Sequence, residues 1–157
     1  MFQERARRAA ITKPDVDSII DTFSKEDRSL IGMNDYDEQY LTVCEGGYVI
    51  FRSLVFDENH AISFFDLLED GEKSLNVCMG TRRDDRGRGF ATKAANQAMM
   101  WVEMNKSNIP QDYIHWSALR TNAPSRKLAE SLGFKLHEDG ELWKPEDEWV
   151  LYIYDIH

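Results

Sequence analysis

The chain has 157 residues, of which 42% are hydrophobic, and its formal net charge is −9. This length suits one domain, so we predict that residues 1–157 form a single domain with an ordinary core. The acidic balance disfavours nucleic-acid binding, because phosphates attract basic surfaces, and it favours cationic partners such as amines or basic peptides. No stretch approaches the roughly 20 apolar residues of a membrane span, so we expect no membrane-spanning segment.

The first ten residues and the cysteines indicate the cellular compartment. The N-terminal segment is basic, but no apolar run follows it, which disfavours a secretory signal. Cys44 and Cys78 are isolated in the sequence and are interpreted as reduced thiols, so we predict a cytoplasmic protein.

The four histidines lack metal-ligand spacing, and we predict no metal site.

The N-terminal part is predicted to begin with a short edge strand over residues 4–11. A helix ending near Phe23 should follow, capped by Thr12 or Asp15 and with Pro14 in its first turn. Apolar residues recur at helical spacing within this segment, namely at Val16, Ile19, Ile20 and Phe23.

Residues 25–36 are mixed in character and should form a short second helix and a loop. An antiparallel meander is predicted next, since segments rich in β-branched and aromatic residues alternate with turn residues. Gly46 and Gly47 supply the positive φ angles that a tight turn needs. The predicted strands are 39–44, 48–56, 60–68 and 74–79.

The spacing of apolar residues becomes helical in the second half of the chain. A helix is predicted over 87–106, with Ala91, Ala94, Ala98 and Trp101 on one face. The remaining predicted elements are a strand over 112–118, a helix over 123–132 ended by Gly133, and strands over 134–138 and 148–155. This order predicts a mixed α/β (α+β) fold, in which helices flank a mostly antiparallel central sheet with one parallel pairing.

The segment that joins the predicted strand 74–79 to the next helix has the features of a pyrophosphate site. Gly87 and Gly89 permit backbone conformations and a close approach that a Cβ would block. Amides at the helix start can turn toward one anion, and the helix dipole adds positive potential there. Arg86 and Arg88 add forked donors that suit phosphate oxygens. The alternative is a solvated charged turn, whereas neither a Walker loop nor a complete Rossmann fingerprint is present.

Two motifs resemble those of the GNAT superfamily of acyl-CoA-dependent N-acetyltransferases. Arg86-x-x-Gly89-x-Ala91 is similar to the Arg/Gln-x-x-Gly-x-Gly/Ala signature of that family, and residues 122–134 are similar to its second motif. The resemblance covers residues 74–155, and the Asn-x-x-Ser form of the second motif is similar to the branch that acetylates N-termini of ribosomal proteins. It implies the acyl-CoA N-acyltransferase fold, with a splayed fourth and fifth strand pair, and direct acetyl transfer from acetyl-CoA to a primary amine.

The resemblance also implies which residues bind acetyl-CoA. Backbone groups of Met79, Gly80 and Thr81 would hold the pantetheine arm, if their strand splays from its neighbour rather than being fully paired. The side chain of Asn122 would reach the pantetheine amides, cap the following helix, or do both. The pyrophosphate would contact the amides of Arg86, Gly87, Arg88, Gly89, Phe90, Ala91 and Thr92.

The catalytic residue that the resemblance implies is Ser125, which would protonate the leaving thiolate of CoA. Many relatives have a tyrosine as general acid where this chain has Ala129. Ser125, water or another side chain would then supply the proton, and a thiol pKa of about 8.5 makes strong acid assistance unnecessary. Because of Ala129, the alternative function is a catalytically inactive CoA-binding or protein-interaction module of the same fold.

The acceptor amine must be neutral when it attacks the thioester. At pH 7 an α-amino group with a pKa of about 8 is roughly a tenth neutral, whereas a lysine is neutral at about one part in 2,500. We therefore favour a protein or peptide N-terminus, ahead of a small cationic amine. Glu45, Asp66 and Glu69 are candidate general bases because they are expected near strand ends. Cys78 as an acyl carrier is disfavoured, since no histidine lies near it in the sequence.

Several features leave alternatives open. Trp149, Leu151 and Ile153 alternate with other apolar residues, which is typical of a core strand, of an acceptor wall or of a homodimer surface. The predicted acceptor loops, 24–38 and 139–147, contain no motif that identifies the acceptor. Transfer to aminoacyl-tRNA is disfavoured by the net charge of −9.

Overall fold

The computed structural model describes residues 2–30, 49–137 and 148–157, with side chains from residue 11 to 28 in the first range. Its elements in chain order are α1 (Phe2–Ile20), α2 (Lys25–Leu30), β1 (Val49–Asp57), β2 (His60–Asp70), β3 (Ser74–Thr81), α3 (Phe90–Met104), β4 (Tyr113–Leu119), α4 (Ala123–Ser131), β5 (Lys135–Leu136) and β6 (Trp149–Asp155). Single 3₁₀ turns cover Arg83–Asp85 and Lys106–Asn108.

The described strands form one sheet in the order β1-β2-β3-β4-β6-β5. Strands β1, β2 and β3 are an antiparallel meander, and β4, β6 and β5 are also antiparallel to one another. Between these two groups, β3 pairs with β4 in parallel, because α3 crosses over from the end of β3 to the start of β4. The structure therefore confirms the predicted mixed α/β fold with a mostly antiparallel sheet.

Strands β3 and β4 pair over a short distance and then diverge. The paired residues are Ser74 with Tyr113, Leu75 with Ile114, and Asn76 with His115. Beyond them, β3 remains paired with β2 as far as Thr81, and β4 remains paired with β6 as far as Leu119. We call the gap between residues 77–81 and 116–119 the fork, closed at Asn76 and open at Thr81. The splayed strand pair that was expected as the fourth and fifth strands is thus β3 and β4 of the described strands.

Helices cover both faces of the sheet. Because successive strand residues point to opposite faces, Phe65 packs under α3, and its neighbour Phe64 packs under α1. The larger core joins α3 and α4 to the sheet, and its buried members include Ala94, Ala95, Ala98, Val102, Leu128, Ala129, Leu75, Trp116 and Tyr152. The smaller core joins α1 to β1 and β2 through Val16, Ile19, Ile20, Phe23, Val49, Ala61, Phe64 and Leu68.

The prediction for the N-terminus is wrong. Residues 4–11 form no strand, because they belong to the first half of α1. Neither Thr12 nor Asp15 caps the helix, and Pro14 lies inside it rather than in its first turn. Residues 4–10 are glutamate, arginine and alanine, which all have high helix propensity. The helix continues across Pro14, although a proline inside a helix removes one backbone hydrogen bond.

The other described elements agree with the predictions to within a few residues. The largest shift is at α3, which begins at Phe90 rather than at Gly87. The predicted strand 39–44, the Gly46-Gly47 turn, Cys44, Glu45 and most of the two acceptor loops lie outside the described residues. None of the described helices is long and apolar enough to cross a membrane.

Candidate active site

The glycine loop (residues 82–89) connects the end of β3 to the start of α3. Its two glycines have left-handed backbone conformations, with φ of +76° at Gly87 and +84° at Gly89. Residues with a side chain rarely adopt such angles, so the backbone itself requires glycine at both positions. A Cβ added to either would meet no atom of the described residues within 4 Å. The surface beside both glycines is therefore open.

The first turn of α3 presents free amides beside this open surface. Gly89 is the N-cap, and no side chain caps the helix. The Lys93 amide donates to the Gly89 carbonyl at 3.1 Å, so the amides of Phe90, Ala91 and Thr92 precede the first intrahelical hydrogen bond. These amides and the positive end of the helix dipole make the start of α3 suitable for an anion.

Two of the four arginines of the loop, Arg86 and Arg88, are paired with carboxylates. Arg86 Nη1 donates to Asp27 Oδ1 at 2.8 Å, and Arg86 Nε donates to the Thr81 carbonyl at 3.3 Å. Arg88 Nη1 donates to Asp85 Oδ1 at 2.9 Å. A guanidinium has five N–H donors, so each arginine can keep its carboxylate and still offer donors to a phosphate.

The junction of α1 and α2 holds the glycine loop from one side. The hydrogen bond from Arg86 is the main cause that lowers the pKa of Asp27 to about 2, against the smaller opposing effect of burial. The Arg83 amide donates to Thr22 Oγ1 at 3.0 Å, and the Arg86 guanidinium lies 4.9 Å above the centre of the Phe23 ring. Sequence reasoning missed this set of contacts, because no motif connects residues some 60 positions apart.

The strand edge expected to hold the pantetheine arm borders the fork. Residues 77–81 have β2 on one edge, and β4 diverges from the other, so beyond Asn76 this edge of β3 is paired with no strand of the described residues. Met79 packs against the larger core, and Thr81 Oγ1 is 2.9 Å from Ser63 Oγ. At Gly80 an added Cβ would lie 2.7 Å from Phe23 Cζ and 2.8 Å from Phe64 Cε1. Gly80 is therefore also required by the packing of Phe23, which lies between α1 and α2, and of Phe64 on β2.

Asn122 and Ser125 lie at the start of α4, beyond the open end of β4. Asn122 Oδ1 accepts a hydrogen bond from the Ser125 amide at 3.3 Å, which confirms that Asn122 caps the helix. Ser125 is buried, and its Oγ accepts a hydrogen bond from Trp116 Nε1 at 3.0 Å. An indole N–H can only donate, so the hydroxyl proton of Ser125 remains free to be donated elsewhere.

Ala129 occupies the position where many relatives have a tyrosine. It is fully buried in the larger core, and its carbonyl accepts a hydrogen bond from the Phe134 amide at 3.1 Å. Trp116 and Phe134, whose rings are 5.3 Å apart, belong to the same core. A tyrosine at this position would have to displace packed core atoms.

Two of the candidate general bases can be located. Asp66 lies in the middle of β2, so the expectation that it lies near a strand end is wrong. It is fully buried, and both its oxygens accept from Arg52, Oδ1 from Nε and Oδ2 from Nη2, each at 2.8 Å. This double pairing leaves Asp66 poorly suited to accept a proton. Glu69 pairs with Leu75 near the end of β2, as expected.

A histidine and an aspartate that sequence reasoning did not select meet at the closed end of the fork. His115 Nε2 is 2.6 Å from Asp70 Oδ2. The two residues are 45 positions apart, and the parallel register of β3 and β4 brings them together. Within the part of the chain that the structure describes, no group of three or more His, Cys, Asp or Glu side chains could hold a metal ion.

Comparisons with known proteins agree with this architecture. The acetyltransferase (GNAT) domain family matches residues 45–135, which is more than half of the chain. No curated protein sequence matches the chain.

Several solved structures share the fold at low sequence identity. An acetyltransferase from Agrobacterium tumefaciens is 16% identical over 90% of this chain and 85% of its own, with a TM-score of 0.67. The Salmonella typhimurium acetyl transferase that modifies the N-terminal serine of the 50S subunit protein L7/L12 is 15% identical over 93% and 90%, with a TM-score of 0.58. The ribosomal-protein-S5-alanine acetyltransferase of Vibrio fischeri is 17% identical over 79% and 70%, with a TM-score of 0.55.

The family match spans the glycine loop, the fork and α4, which are the parts of the molecule where an anion-binding helix start meets an unpaired strand edge. The shared fold extends this agreement to most of the chain. Together they show that the chain belongs to the GNAT acetyltransferases.

Proposed function

We propose that the protein transfers the acetyl group of acetyl-CoA directly to a primary amine. The observation that carries this proposal is the fork, with the free amides of α3 at its open end. In the reaction, the amine nitrogen bonds to the thioester carbon, the carbon–sulfur bond breaks, and the amine loses a proton. The leaving thiolate of CoA gains one.

The described residues offer suitable places for the pyrophosphate and the pantetheine arm of acetyl-CoA. The open surface at Gly87 and Gly89 and the amides from Arg86 to Thr92 fit a pyrophosphate. The remaining N–H groups of Arg86 and Arg88 would add charge. The free edge of β3 at Met79, Gly80 and Thr81 fits the amides of the pantetheine arm, although Arg86 already occupies one lone pair of the Thr81 carbonyl. Asn122 would face that arm from the other side.

We assign the protonation of the thiolate to Ser125. Its Oγ accepts from Trp116, so its own proton points away from that indole and is free to move to a thiolate. With Ser125 as the proton donor, a tyrosine at position 129 is not needed, and the core leaves no space for one there.

We favour a protein or peptide N-terminus as the acceptor, with a small cationic amine second. The larger neutral fraction of an α-amino group at pH 7 supports this choice. The Salmonella and Vibrio neighbours, which act on an N-terminal serine and on an alanine of ribosomal proteins, support it by analogy of fold. The net charge of −9 also suits a cationic acceptor.

The first test is calorimetric titration with acetyl-CoA, followed by release of free CoA thiol with peptide acceptors. The peptides should come in matched pairs, one with a free N-terminus and one with an acetylated N-terminus and a single internal lysine. We expect micromolar binding, and thiol release with the free N-terminus. Absence of binding at millimolar acetyl-CoA would contradict the cofactor assignment and the transferase function with it.

A second candidate function is a CoA-binding or protein-interaction module without transferase activity. The burial of Ala129 in place of the family's tyrosine favours it. Such a module would bind acetyl-CoA with the same affinity, but no amine would cause thiol release.

A further inference from the structure

The closed end of the fork is firmly held in place. The Lys73 carbonyl accepts hydrogen bonds from the amides of Asp112 at 2.8 Å and Tyr113 at 3.3 Å, just before the three residue pairs of β3 and β4. His115 pairs with Asn76 in the last of these pairs. Its side chain therefore leaves β4 at the point where the two strands begin to separate.

His115 points to the face of the sheet that the larger core does not fill. Along β4, Ile114, Trp116 and Ala118 are buried in that core, so His115 and Ser117 point the opposite way. On the same face of β3, Cys78 packs against the smaller core and is half-buried. This face is only partly covered by the described residues, since the side chains of His115 and Asp70 are 18% and 57% exposed, and we call it the half-open face.

The side chain of Asp70 passes over Ser74 of β3 to reach His115 on β4. In the sheet, Asp70 of β2 lies opposite Ser74 of β3, which in turn lies opposite Tyr113 of β4. Ser74 Oγ donates to the Asp70 carbonyl at 2.6 Å, and this short side chain leaves room for the Asp70 carboxylate to pass over β3 to His115.

The pairing determines which ring nitrogen of His115 is available. An ionised carboxylate can only accept, so Nε2 carries the hydrogen that Asp70 Oδ2 accepts at 2.6 Å, and Nδ1 of the neutral ring carries the lone pair. Nδ1 is bonded to the ring carbon attached to Cβ, so it lies nearer to β4 than Nε2 does. The basic nitrogen of His115 is thus Nδ1, which is not engaged by Asp70.

We propose that His115 Nδ1 accepts the proton that the acceptor amine loses, directly or through one water molecule. The proton adds to Nδ1, while Asp70 stays ionised, holds the ring orientation and stabilises the imidazolium. The proton then passes to solvent across the half-open face, since the Asp70 carboxylate is 57% exposed. This inference rests on the proposed acetyl transfer and names the residue that makes an amine with a pKa above the ambient pH reactive.

Other groups do not compete for this role in the described structure. Asp66 is fully paired with Arg52, and Glu69 points to the opposite face of β2 from Asp70. Among the described residues, the titratable or charged groups near His115 in the sheet include Asp70 on β2, Lys73 in the β2–β3 turn and Cys78 on β3. Tyr113 on β4 and Asp155, which lies opposite Tyr113 on β6, complete this group.

The test compares the wild-type protein with His115→Gln and Asp70→Asn. His60→Gln is the matched control, because His60 is an exposed histidine at the β1–β2 turn. For each protein, kcat, KM and the acetyl-CoA Kd are measured with one peptide acceptor. These measurements should be made from about pH 5.5 to 9.5, because this interval includes the region where histidines titrate and the region where α-amino groups do.

At pH 7 we expect kcat of His115→Gln to fall on the order of 10²-fold, the usual contribution of a general base. The acetyl-CoA Kd should stay within about twofold, because the residue lies at the end of the fork remote from the glycine loop. Activity of His115→Gln should rise steadily with pH as the amine itself loses its proton. Added imidazole should partly restore the activity of His115→Ala, which a merely structural histidine would not allow.

Three results would overturn the proposal, and they are distinguishable. If His115→Gln retains the wild-type kcat and pH profile, His115 is not the base, although the acetyl transfer stands. If kcat and acetyl-CoA affinity fall together without imidazole rescue, the residue is structural. If the wild-type protein binds acetyl-CoA but acetylates no amine, the proposed function fails and the proposal fails with it. Asp70→Asn gives an independent test if His115→Gln does not fold, because a ring without the Asp70 carboxylate loses its fixed orientation and kcat should still fall.

Discussion

The two ends of the fork are built from different kinds of groups. At the open end, the surface beside the glycine loop consists of backbone amides and of glycines with positive φ, and Arg86 and Arg88 are paired with Asp27 and Asp85. At the closed end, two side chains from different strands, Asp70 and His115, meet at 2.6 Å. Backbone groups suit the binding of an invariant phosphate, whereas a titratable side chain is needed to move a proton. Substitutions at the two ends should therefore affect affinity and turnover separately.

The largest effect is expected from Gly89→Ala at the open end. A residue with a Cβ at φ +84° is strained, and the Cβ would project into the open space proposed for the pyrophosphate. We expect acetyl-CoA affinity to fall by about 10²-fold, with kcat at saturation little changed. Calorimetry and steady-state kinetics measure the two quantities.

Gly133→Ala is the matched control for Gly89→Ala. Gly133 also has positive φ, +92°, and an added Cβ would make only an ordinary contact with Tyr154 at 3.8 Å. Gly133→Ala should lower the free energy of unfolding about as much as Gly89→Ala does, but it should leave the acetyl-CoA affinity unchanged. Equal loss of affinity in both variants would remove the argument that the glycine loop binds the phosphate.

A smaller effect is expected from Ser125→Ala. The change removes the proposed proton donor, but a thiolate with a pKa of about 8.5 also leaves without help, so we expect kcat to fall by about tenfold. It also leaves the buried Trp116 N–H without an acceptor, which should lower the free energy of unfolding by about 1–3 kcal/mol. Thiol-release kinetics and urea unfolding measure these changes.

Ser131→Ala, in the last turn of the same helix, is the control for Ser125→Ala. Ser131 Oγ donates to the Leu128 carbonyl and is remote from the fork. It should leave kcat unchanged. A Ser125→Ala protein with the wild-type kcat would assign thiolate protonation to solvent.

Asp27→Asn should have a still smaller effect, and in the opposite direction. It removes the carboxylate that competes for Arg86, so acetyl-CoA affinity should rise by about two- to threefold, as expected for an exposed ion pair. Asp21→Asn, an exposed residue at the end of α1, is the control. Weaker binding by Asp27→Asn would mean that the ion pair positions Arg86 for the phosphate instead of competing for it.

The smallest effect concerns the pH dependence of stability. The hydrogen bond from Arg86 lowers the pKa of Asp27 in the folded protein to about 2, below its usual value of 3.8, so the pairing stabilises the fold above about pH 4 and is lost as the pH falls through 2. The pair is partly exposed to solvent and should contribute no more than about 1 kcal/mol. The difference in unfolding free energy between wild type and Asp27→Asn should therefore shrink between about pH 4 and 2. A constant difference over this range would contradict the pairing.

Features encoded by neighbouring residues could be predicted from the sequence. The positive φ at Gly87, Gly89 and Gly133 and the cap at Asn122 follow from local chemistry, and each was found where expected. The N-terminal strand was wrong because Pro14 was interpreted as a helix start, although the residues before it favour helix.

Contacts that depend on strand register could not be predicted. Asp66 was selected as a candidate general base because the sequence does not indicate its bidentate partner, Arg52, which is 14 residues away on the neighbouring strand. The pairs Arg86–Asp27 and Asp70–His115 join residues 59 and 45 positions apart, and composition or spacing does not indicate them. A shift of one residue between β3 and β4 would move His115 to the opposite face, so the base can be found only once the register is known.

The short pairing of β3 with β4 also has a consequence for how the chain folds. The paired residues of β3 and β4 are 39 positions apart, Ser74 with Tyr113 among them, and those of β4 and β6 are up to 42 positions apart. Closing either distance costs chain entropy, but β3 and β4 form only three residue pairs in return, whereas β4 and β6 form seven. The junction between the two groups is thus expected to form late during folding.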